Sequence, residues 1–218
     1  MKLTQFVYFR SHFFCLVSIG LLAYTSSAQE DDKKKIKTVF DNYKSAILED
    51  RGEEAVTYVD QNTISYYDAI LKTTIEADST TTDALPILDK LMVVSIRHRT
   101  PPAKIKSFDG KQLLRYAIQE GMVGKNSVEN IEMGAVKLNN TRADGTIIVD
   151  GQETPMTFGF TKEGEAWKVD LTSAFAAGTT AFKTMIAQNG QSENDFIIQI
   201  LTLLTQKAPT SAIWQPVE

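Results

Sequence analysis

The chain has 218 residues, of which 43% are hydrophobic, and it carries 23 basic and 27 acidic residues for a net charge of −4. This mildly acidic balance argues against general nucleic-acid binding. The length fits one domain that buries its own core. Its glycines are scattered and form no phosphate-binding loop, so no nucleotide cofactor is expected.

Residues 1–28 have the layout of a secretory signal peptide. Lys2 and Arg10 precede the apolar run "FFCLVSIGLLAY", and the small residues Ser26 and Ala28 precede a cut before Gln29. The apolar run is shorter than the ~20 residues that a membrane-spanning helix needs, although an uncleaved anchor is the alternative. We therefore predict an exported domain over residues 29–218, in the periplasm or outside the cell, with no stable membrane anchor.

Signal cleavage changes the chemistry open to the chain. It removes Cys15, the only cysteine, and leaves His98 as the only histidine, while the net charge becomes −6 because two basic residues and no acidic ones are lost. Disulfides, cysteine nucleophiles and cysteine-based zinc sites are then excluded. The carboxylates lack calcium-loop spacing. The sequence predicts neither a metal site nor a cofactor.

The chain up to residue 121 has mostly helical periodicity. "IKTVFDNYKSAIL" places apolar residues on one helix face, and Asp31 or Asp32 is expected to cap its start. A short helix follows in "EEAVTYVD", and Asn62 or Thr63 is the expected cap of a third helix in "NTISYYDAILKTTIEAD".

The next apolar segment is ambiguous between helix and strand. Thr82 or Asp83 is a plausible cap with Pro86 in the first turn, and residues 91–96 fit either a helix or a buried strand, with length favouring the helix. "SFDGKQLLRYAIQEGM" has better defined ends, because Asp109 and Gln112 have capping-box spacing and Gly121 is placed to end the helix.

After residue 127 the apolar period changes to two. "IEMGAVKLNN", "GTIIVDG", "PMTFGFTK" and "EAWKVDL" predict four strands, and the Asn-Asn, Asp-Gly and Glu-Gly links between them predict an antiparallel meander. The inner face is expected to include Ile131 or Met133, Ile148, Phe158 or Phe160, Trp167 and Val169.

Two further helices close the chain. "TSAFAAGTTAFKTMIAQNG" ends at Gly190, and "SENDFIIQILTLLTQKAP" starts at a Ser192 cap. The last helix is expected either to pack on its own domain or to lie in a homodimer groove. The fold class is therefore α+β, with N-terminal helices packed on a curled four-stranded antiparallel meander and two extra C-terminal helices. The expected buried side of the last helix comprises Ile197, Ile200, Leu201 and Leu204.

Helices followed by a meander ending in "EGEAWKVDL" resemble the nuclear transport factor 2-like superfamily of cone-shaped domains, over about residues 33–171. The acidic first helix "VFDNYKSAILEDRGEEAVTYV" and the Trp167-Lys168-Val169 strand after a glycine turn carry the likeness. The chain departs from the pattern in its long helical insert at residues 62–121 and in its C-terminal helices. The resemblance implies a cavity between sheet and helices.

Members of that superfamily include both enzymes and binding domains, so the resemblance does not choose a function. We expect non-catalytic binding of a small molecule or partner protein in or around the cavity. The alternative is an acid–base isomerase, dehydratase or hydrolase that uses tyrosine and carboxylate groups, although no catalytic residue can be singled out. The candidate ligand-binding residues are Tyr43, Tyr67, Tyr116 and Trp167.

A basic segment stands out in this acidic chain. Residues 97–115 contain six Lys or Arg residues and one acidic residue, Asp109. Cations at a helix C-terminus complement its dipole, which is an ordinary structural role. The alternative is a site for an anion or an acidic partner, since guanidinium groups hold carboxylates and phosphates well. That site would use Arg97, Arg99, Lys104, Lys106 and Arg115.

Overall fold

The computed structural model of the chain describes residues 12–123, 125 and 128–218. It confirms the predicted α+β class, with helices first, then a curled antiparallel sheet, then two helices. The helices before the sheet are α1 (His12–Leu48), α2 (Gly52–Ala55), α3 (Gln61–Glu76), α4 (Ser79–Asp83), α5 (Ile87–Arg99), α6 (Pro102–Ile105) and α7 (Gly110–Gln119). The strands and last helices are β1 (Ile131–Asn139), β2 (Arg142–Val149), β3 (Gln152–Glu163), β4 (Ala166–Asp170), α8 (Phe175–Asn189) and α9 (Glu193–Thr205).

The sheet is the predicted meander, with strand order β1-β2-β3-β4 and every neighbouring pair antiparallel. The three links turn at residues with positive φ, namely Asn140, the pair Asp150 and Gly151, and Gly164. Asn, Asp and Gly tolerate this left-handed backbone better than other residues, so the dipeptides in the sequence indicated the turns correctly.

The outer edge of β4 is covered by the segment that enters α3. Val59 forms a single parallel bridge with Val169. The N–H of Asp60 donates to the carbonyl of Val169 at 3.0 Å, and the N–H of Val169 donates to the carbonyl of Tyr58 at 2.8 Å. An uncovered edge strand invites pairing with other chains, so this bridge protects β4 and fastens the helices to the sheet.

The helix start predicted at Asp31 or Asp32 is wrong. Helix α1 runs without interruption from His12 to Leu48, because residues 21–51 contain neither proline nor glycine to stop it. Asp31 pairs with Lys35 at 2.7 Å, one helical turn on, instead of capping. The predicted cleavage point after Ala28 lies within this helix, and residues 1–11 of the predicted signal peptide lie outside the described residues.

No helix in the described part of the chain combines the length and the apolarity needed to cross a bilayer.

The cap of α3 is Asp60, which corrects the predicted Asn62 or Thr63. The Asp60 carboxylate accepts a hydrogen bond from the N–H of Thr63 at 2.8 Å. Asp60 is almost fully buried, and the carboxylate satisfies a backbone donor that the first turn of a helix leaves unpaired.

The segment before α5 also differs from the prediction. Thr82 and Asp83 belong to a separate short helix, α4, which Asp78 caps, and Pro86 is the residue that precedes α5. Residues 91–96 are helical, as the length of the apolar segment predicted.

Helix α7 has the predicted capping box. The Asp109 side chain accepts from the N–H of Gln112, and the Gln112 side chain accepts from the N–H of Asp109. Gly121 follows the helix with φ of 61°. Gly110 permits close packing on α3, because a Cβ at this position would lie 2.5 Å from the backbone nitrogen of Asp68.

The first core fills the space between the sheet and helices α1, α3 and α7. Phe40 of α1 meets Phe158 of β3 edge to face, with ring centroids 5.5 Å apart. The expected inner face is correct except at Ile148, since Ile147 is the buried residue. Burial along β2 alternates regularly from Ala143 through Gly145 to Ile147, so the expectation for Ile148 was one residue out of phase. The other inward residues of β3 and β4 are Phe160, Trp167 and Val169.

A second, smaller cluster joins α5, α8, α9 and the tail at residues 206–218. The prediction for Leu204 is wrong, because this side chain, in the last turn of α9, is 66% exposed. Leu203 beside it is 70% exposed. The buried members are Ile87, Val94, Ile186, Phe196, Ile197, Leu201 and Ile213.

Candidate functional site

The three candidate tyrosines, Tyr43, Tyr67 and Tyr116, are all buried, and two of them, Tyr43 and Tyr67, belong to the first core. Burial raises the pKa of Tyr67 to about 12, and burial followed by the proximity of Tyr67 raises the pKa of Tyr43. The structure thus brings Tyr43 and Tyr67 close together, but within packed side chains. Tyr116 stacks against Phe108, with ring centroids 5.2 Å apart.

Trp167 lines an open groove on the outside of the first core. The groove has a volume of about 380 Å³. Although the Trp167 indole N–H makes no well-aligned hydrogen bond to the described residues, it lies close enough to Asp32 to lower the pKa of that carboxyl, and Lys162 at 3.0 Å lowers it further. The remaining lining residues are Lys34, Lys35, Thr38, Val39, Asn42, Glu165 and Ala166.

Arg97 of α5 connects this helix to α3, α4 and the tail through hydrogen bonds. Its guanidinium has five N–H groups, and the structure gives it five hydrogen bonds. Three go to carbonyl oxygens at the end of α3, where a helix leaves acceptors unpaired. Burial lowers the pKa of Arg97. The five acceptors are Thr73 O (3.3 Å), Thr74 O (2.8 Å), Ala77 O (2.6 Å), Thr82 Oγ1 (3.1 Å) and Ile213 O (3.1 Å).

The other basic candidates have separate partners instead of one common patch. Arg99 donates to the carbonyl of Glu120 at 2.9 Å, and Arg115 pairs with Glu53 at 2.9 Å. Lys104 places its ammonium 4.1 Å from the ring centroid of Tyr116. Lys106 is exposed. These contacts are the ordinary surface roles of charged side chains.

The most enclosed of the three pockets described for this structure lies between the end of α5, α6 and the tail, and we call it the tail pocket. Its volume is about 430 Å³, and the sequence reasoning missed it because the tail has no periodic pattern. The apolar run "SAIWQPV" was the available signal. Its walls are Arg97, His98, Pro102, Ile105, Lys207, Ala208, Thr210, Ala212, Ile213, Gln215, Pro216, Val217 and Glu218.

His98 ties the end of α9 to α5 beside this pocket. Its Nε2 lies 3.0 Å from the hydroxyl oxygen of Thr205. That hydroxyl also lies 2.7 Å from the carbonyl of Leu201 and 2.9 Å from that of Lys207, so His98 and Thr205 hold the end of α9 and the start of the tail against α5.

The tail pocket has a positive bias. Arg97, His98 and Lys207 line it, opposed by the side chain of Glu218. Among the described residues no carboxylate lies within ion-pair distance of Arg97 or Lys207. Nowhere among the residues that the structure describes do three His, Cys, Asp or Glu side chains come together in a way that could hold a metal ion.

Comparison with known proteins adds no relative: no family model matches the chain, and neither a curated protein nor a solved structure matches it.

Proposed function

We propose that this chain is an exported, non-catalytic binding domain that holds a small amphipathic anion in the tail pocket. The observation that carries the proposal is the charge of Arg97 in the pocket wall, which no carboxylate among the described residues pairs with. Its five partners are neutral carbonyl and hydroxyl oxygens. A partly buried charge without a counter-ion is costly, so a bound anion would stabilise the region.

The donor for such an anion would be Lys207, whose exposed ammonium group has three N–H bonds. Every N–H group of Arg97 is already used, so its guanidinium acts on the ligand through space, and that effect is strong where protein excludes water.

The remainder of the wall suits the apolar part of a ligand. Seven of the thirteen residues that line the pocket are apolar, among them Pro102, Ile105 and Val217. Small-molecule sites are typically clefts of roughly 300–1,000 Å³ with mainly apolar walls and a few polar groups. The tail pocket, at about 430 Å³, lies within that range.

The packing of the tyrosines favours binding over acid–base catalysis. Tyr43 and Tyr67 pack in the first core, Tyr116 is buried against Phe108, and none of the three lines a described pocket. Two tyrosine hydroxyls among the described residues donate to a carboxylate, that of Tyr66 to Asp89 and that of Tyr58 to Glu54 at 3.0 Å. None of these four residues lines one of the three pockets, so both pairs are structural contacts.

Calorimetric titration of the purified protein tests the proposal. The probes are straight-chain carboxylates of increasing length and benzoate, each compared with its uncharged amide. We expect saturable binding of a carboxylate, at least about tenfold weaker binding of its amide, and a similar loss in Lys207→Glu. Ligand recovered after incubation should be chemically unchanged.

Lys106→Glu is the matched control, since Lys106 is exposed and outside the pocket. It should bind like the original protein. Equal affinity for carboxylate and amide, equal loss in the two lysine variants, or no binding of any probe would overturn the proposal.

A further inference from the structure

A shallow pocket of about 410 Å³ lies on the other side of the tail, and we call it the α4–α9 pocket. It shares none of its lining residues with the tail pocket. Its lining is polar apart from one aromatic ring, whereas the walls of the tail pocket are mainly apolar. The lining residues are Ser79, Thr80, Asp83, Asn194 and Trp214.

Asp83 is held in place by two neighbours. The Asn194 amide donates to Asp83 Oδ1 at 2.8 Å, and the Lys90 ammonium lies 3.5 Å from the same oxygen. The hydrogen bond from Asn194 and then the charge of Lys90 lower the pKa of Asp83, so the carboxylate stays ionised. Both contacts use Oδ1, and the side chain is 61% exposed, so Oδ2 remains an acceptor facing solvent.

The buried ammonium of Lys90 does not call for a further anion. Only 4% of its side chain is exposed, and Glu193 at 3.1 Å joins Asp83 as a partner. One cation with two carboxylates leaves the vicinity of the pocket negative. The α4–α9 pocket therefore repels the class of ligand proposed for the tail pocket.

Trp214 is positioned by its neighbour in the chain. Ile213 is buried in the second cluster, and its carbonyl accepts from Arg97 at 3.1 Å. Trp214 is half-buried beside it and lines the pocket. Its indole offers a flat apolar face, which a ligand can cover without supplying a hydrogen-bond partner.

We propose that the α4–α9 pocket binds a neutral saccharide. A sugar ring combines a patch of C–H groups, suited to the indole of Trp214, with adjacent hydroxyl donors, suited to the ionised Asp83. The hydroxyls of Ser79 and Thr80, both exposed, act as donors or acceptors toward other ring hydroxyls. A purely apolar ligand would leave these polar groups unpaired, and an anion would face the carboxylates.

Indole resonances give a direct test, because the two tryptophans of the sequence, Trp167 and Trp214, lie in different places. In nitrogen-15 spectra of the full chain, the Trp167→Phe variant assigns the two indole N–H signals. The probes are neutral oligosaccharides of glucose, N-acetylglucosamine, mannose and galactose. We expect one class to shift the Trp214 signal saturably with Kd of about 1 mM or tighter, while the Trp167 signal stays in place.

Two variants probe the polar half of the site. Asp83→Asn keeps the size of the side chain and removes the charge, and we expect it to weaken saccharide binding about tenfold. Thr80→Ala, an exposed truncation with little risk to folding, should weaken it severalfold. Asp144→Asn, on an exposed position of β2, is the matched control and should leave the affinity unchanged.

The saccharide proposal is overturned if no oligosaccharide moves the Trp214 signal. It is also overturned if the α4–α9 variants bind as well as the control, or if calcium chloride shifts the signal when no saccharide does. Because this test uses residues outside the tail pocket, its failure is distinguishable from failure of the anion proposal.

Discussion

The first core and the second cluster differ in what their packing leaves open. In the first core, large rings such as Phe40, Phe158 and Phe160 pack between the sheet and helices α1, α3 and α7. The second cluster is smaller, and the tail completes it through Ile213. Two of the three described pockets adjoin the tail, and the third lies outside the first core. Space for ligands therefore lies where an irregular segment covers helices, because such a segment fills its surroundings less completely than facing regular elements do.

The contrast also bears on the likeness to the cone-shaped superfamily. That likeness implies a cavity between sheet and helices, where Tyr43 and Tyr67 would meet a ligand. Here these tyrosines are packed with aliphatic and aromatic side chains. The tail, which lies outside the residues that carry this likeness, contributes to both pockets for which we propose ligands.

The largest expected effect is in the first core. Phe40→Ala removes a fully buried ring that packs against Phe158, so we expect the free energy of unfolding to fall by about 3–5 kcal/mol. Denaturant unfolding measures it. Asp41→Ala, the exposed next residue, should change stability by no more than about 0.5 kcal/mol. Similar losses in the two variants would show that the first core is not tightly packed.

A smaller and more local effect is expected in the second cluster. Ile197→Ala opens a cavity against α5 and the tail and should cost about 2–3 kcal/mol. Hydrogen exchange should show the loss of protection confined to α8, α9 and the tail.

Leu204→Ala is the control on the same helix, since this leucine is largely exposed, and it should change stability by no more than about 0.5 kcal/mol. If Ile197→Ala instead accelerates exchange equally throughout the sheet, the two clusters unfold as one unit and the comparison between them fails.

The last prediction concerns pH, with an effect about as large as that of Ile197→Ala. Tyr67 has a pKa of about 12 in the folded protein against an ordinary value of 10.0. Because the raised pKa favours the protonated folded form, its stabilisation is complete below pH 10 and is lost as the pH rises toward 12, by about 2–3 kcal/mol in total.

Tyr67→Phe has no group to titrate and should show a shallower loss of stability over that window, measured by denaturant unfolding at several pH values. An identical pH dependence in both proteins would indicate that the Tyr67 hydroxyl is accessible to solvent, which would reopen the first core as a ligand site.

Local patterns predicted the regular elements well. The change from helical to alternating periodicity near residue 127 placed the sheet, and the capping box of Asp109 and Gln112 placed the start of α7. Errors in the predicted helix starts occurred where a distant ion-pair partner, or the lack of a helix-breaking residue, outweighed the local preference of a side chain for a cap position. Asp31 and Asp32 form ion pairs instead of capping α1. The error at Ile148 was one of phase, since regular alternation from Ala143 through Gly145 turns Ile147 inward.

The candidate site was less predictable than the fold. The sequence named Arg97 as one of five basic candidates, but its five acceptors come from α3, α4 and the tail, up to 116 residues away in sequence. The tail pocket and the α4–α9 pocket have no sequence signature of their own, since each joins segments that share no motif.

The sequence alone therefore determined the class of fold, the meander and most helices, because side-chain periodicity and turn residues act over a few positions of the chain. Only the tertiary structure decided that the tyrosines are core residues, that Leu204 is exposed and that Arg97 is held by neutral partners. Those properties depend on which distant segments meet, and on how completely they fill the space between them.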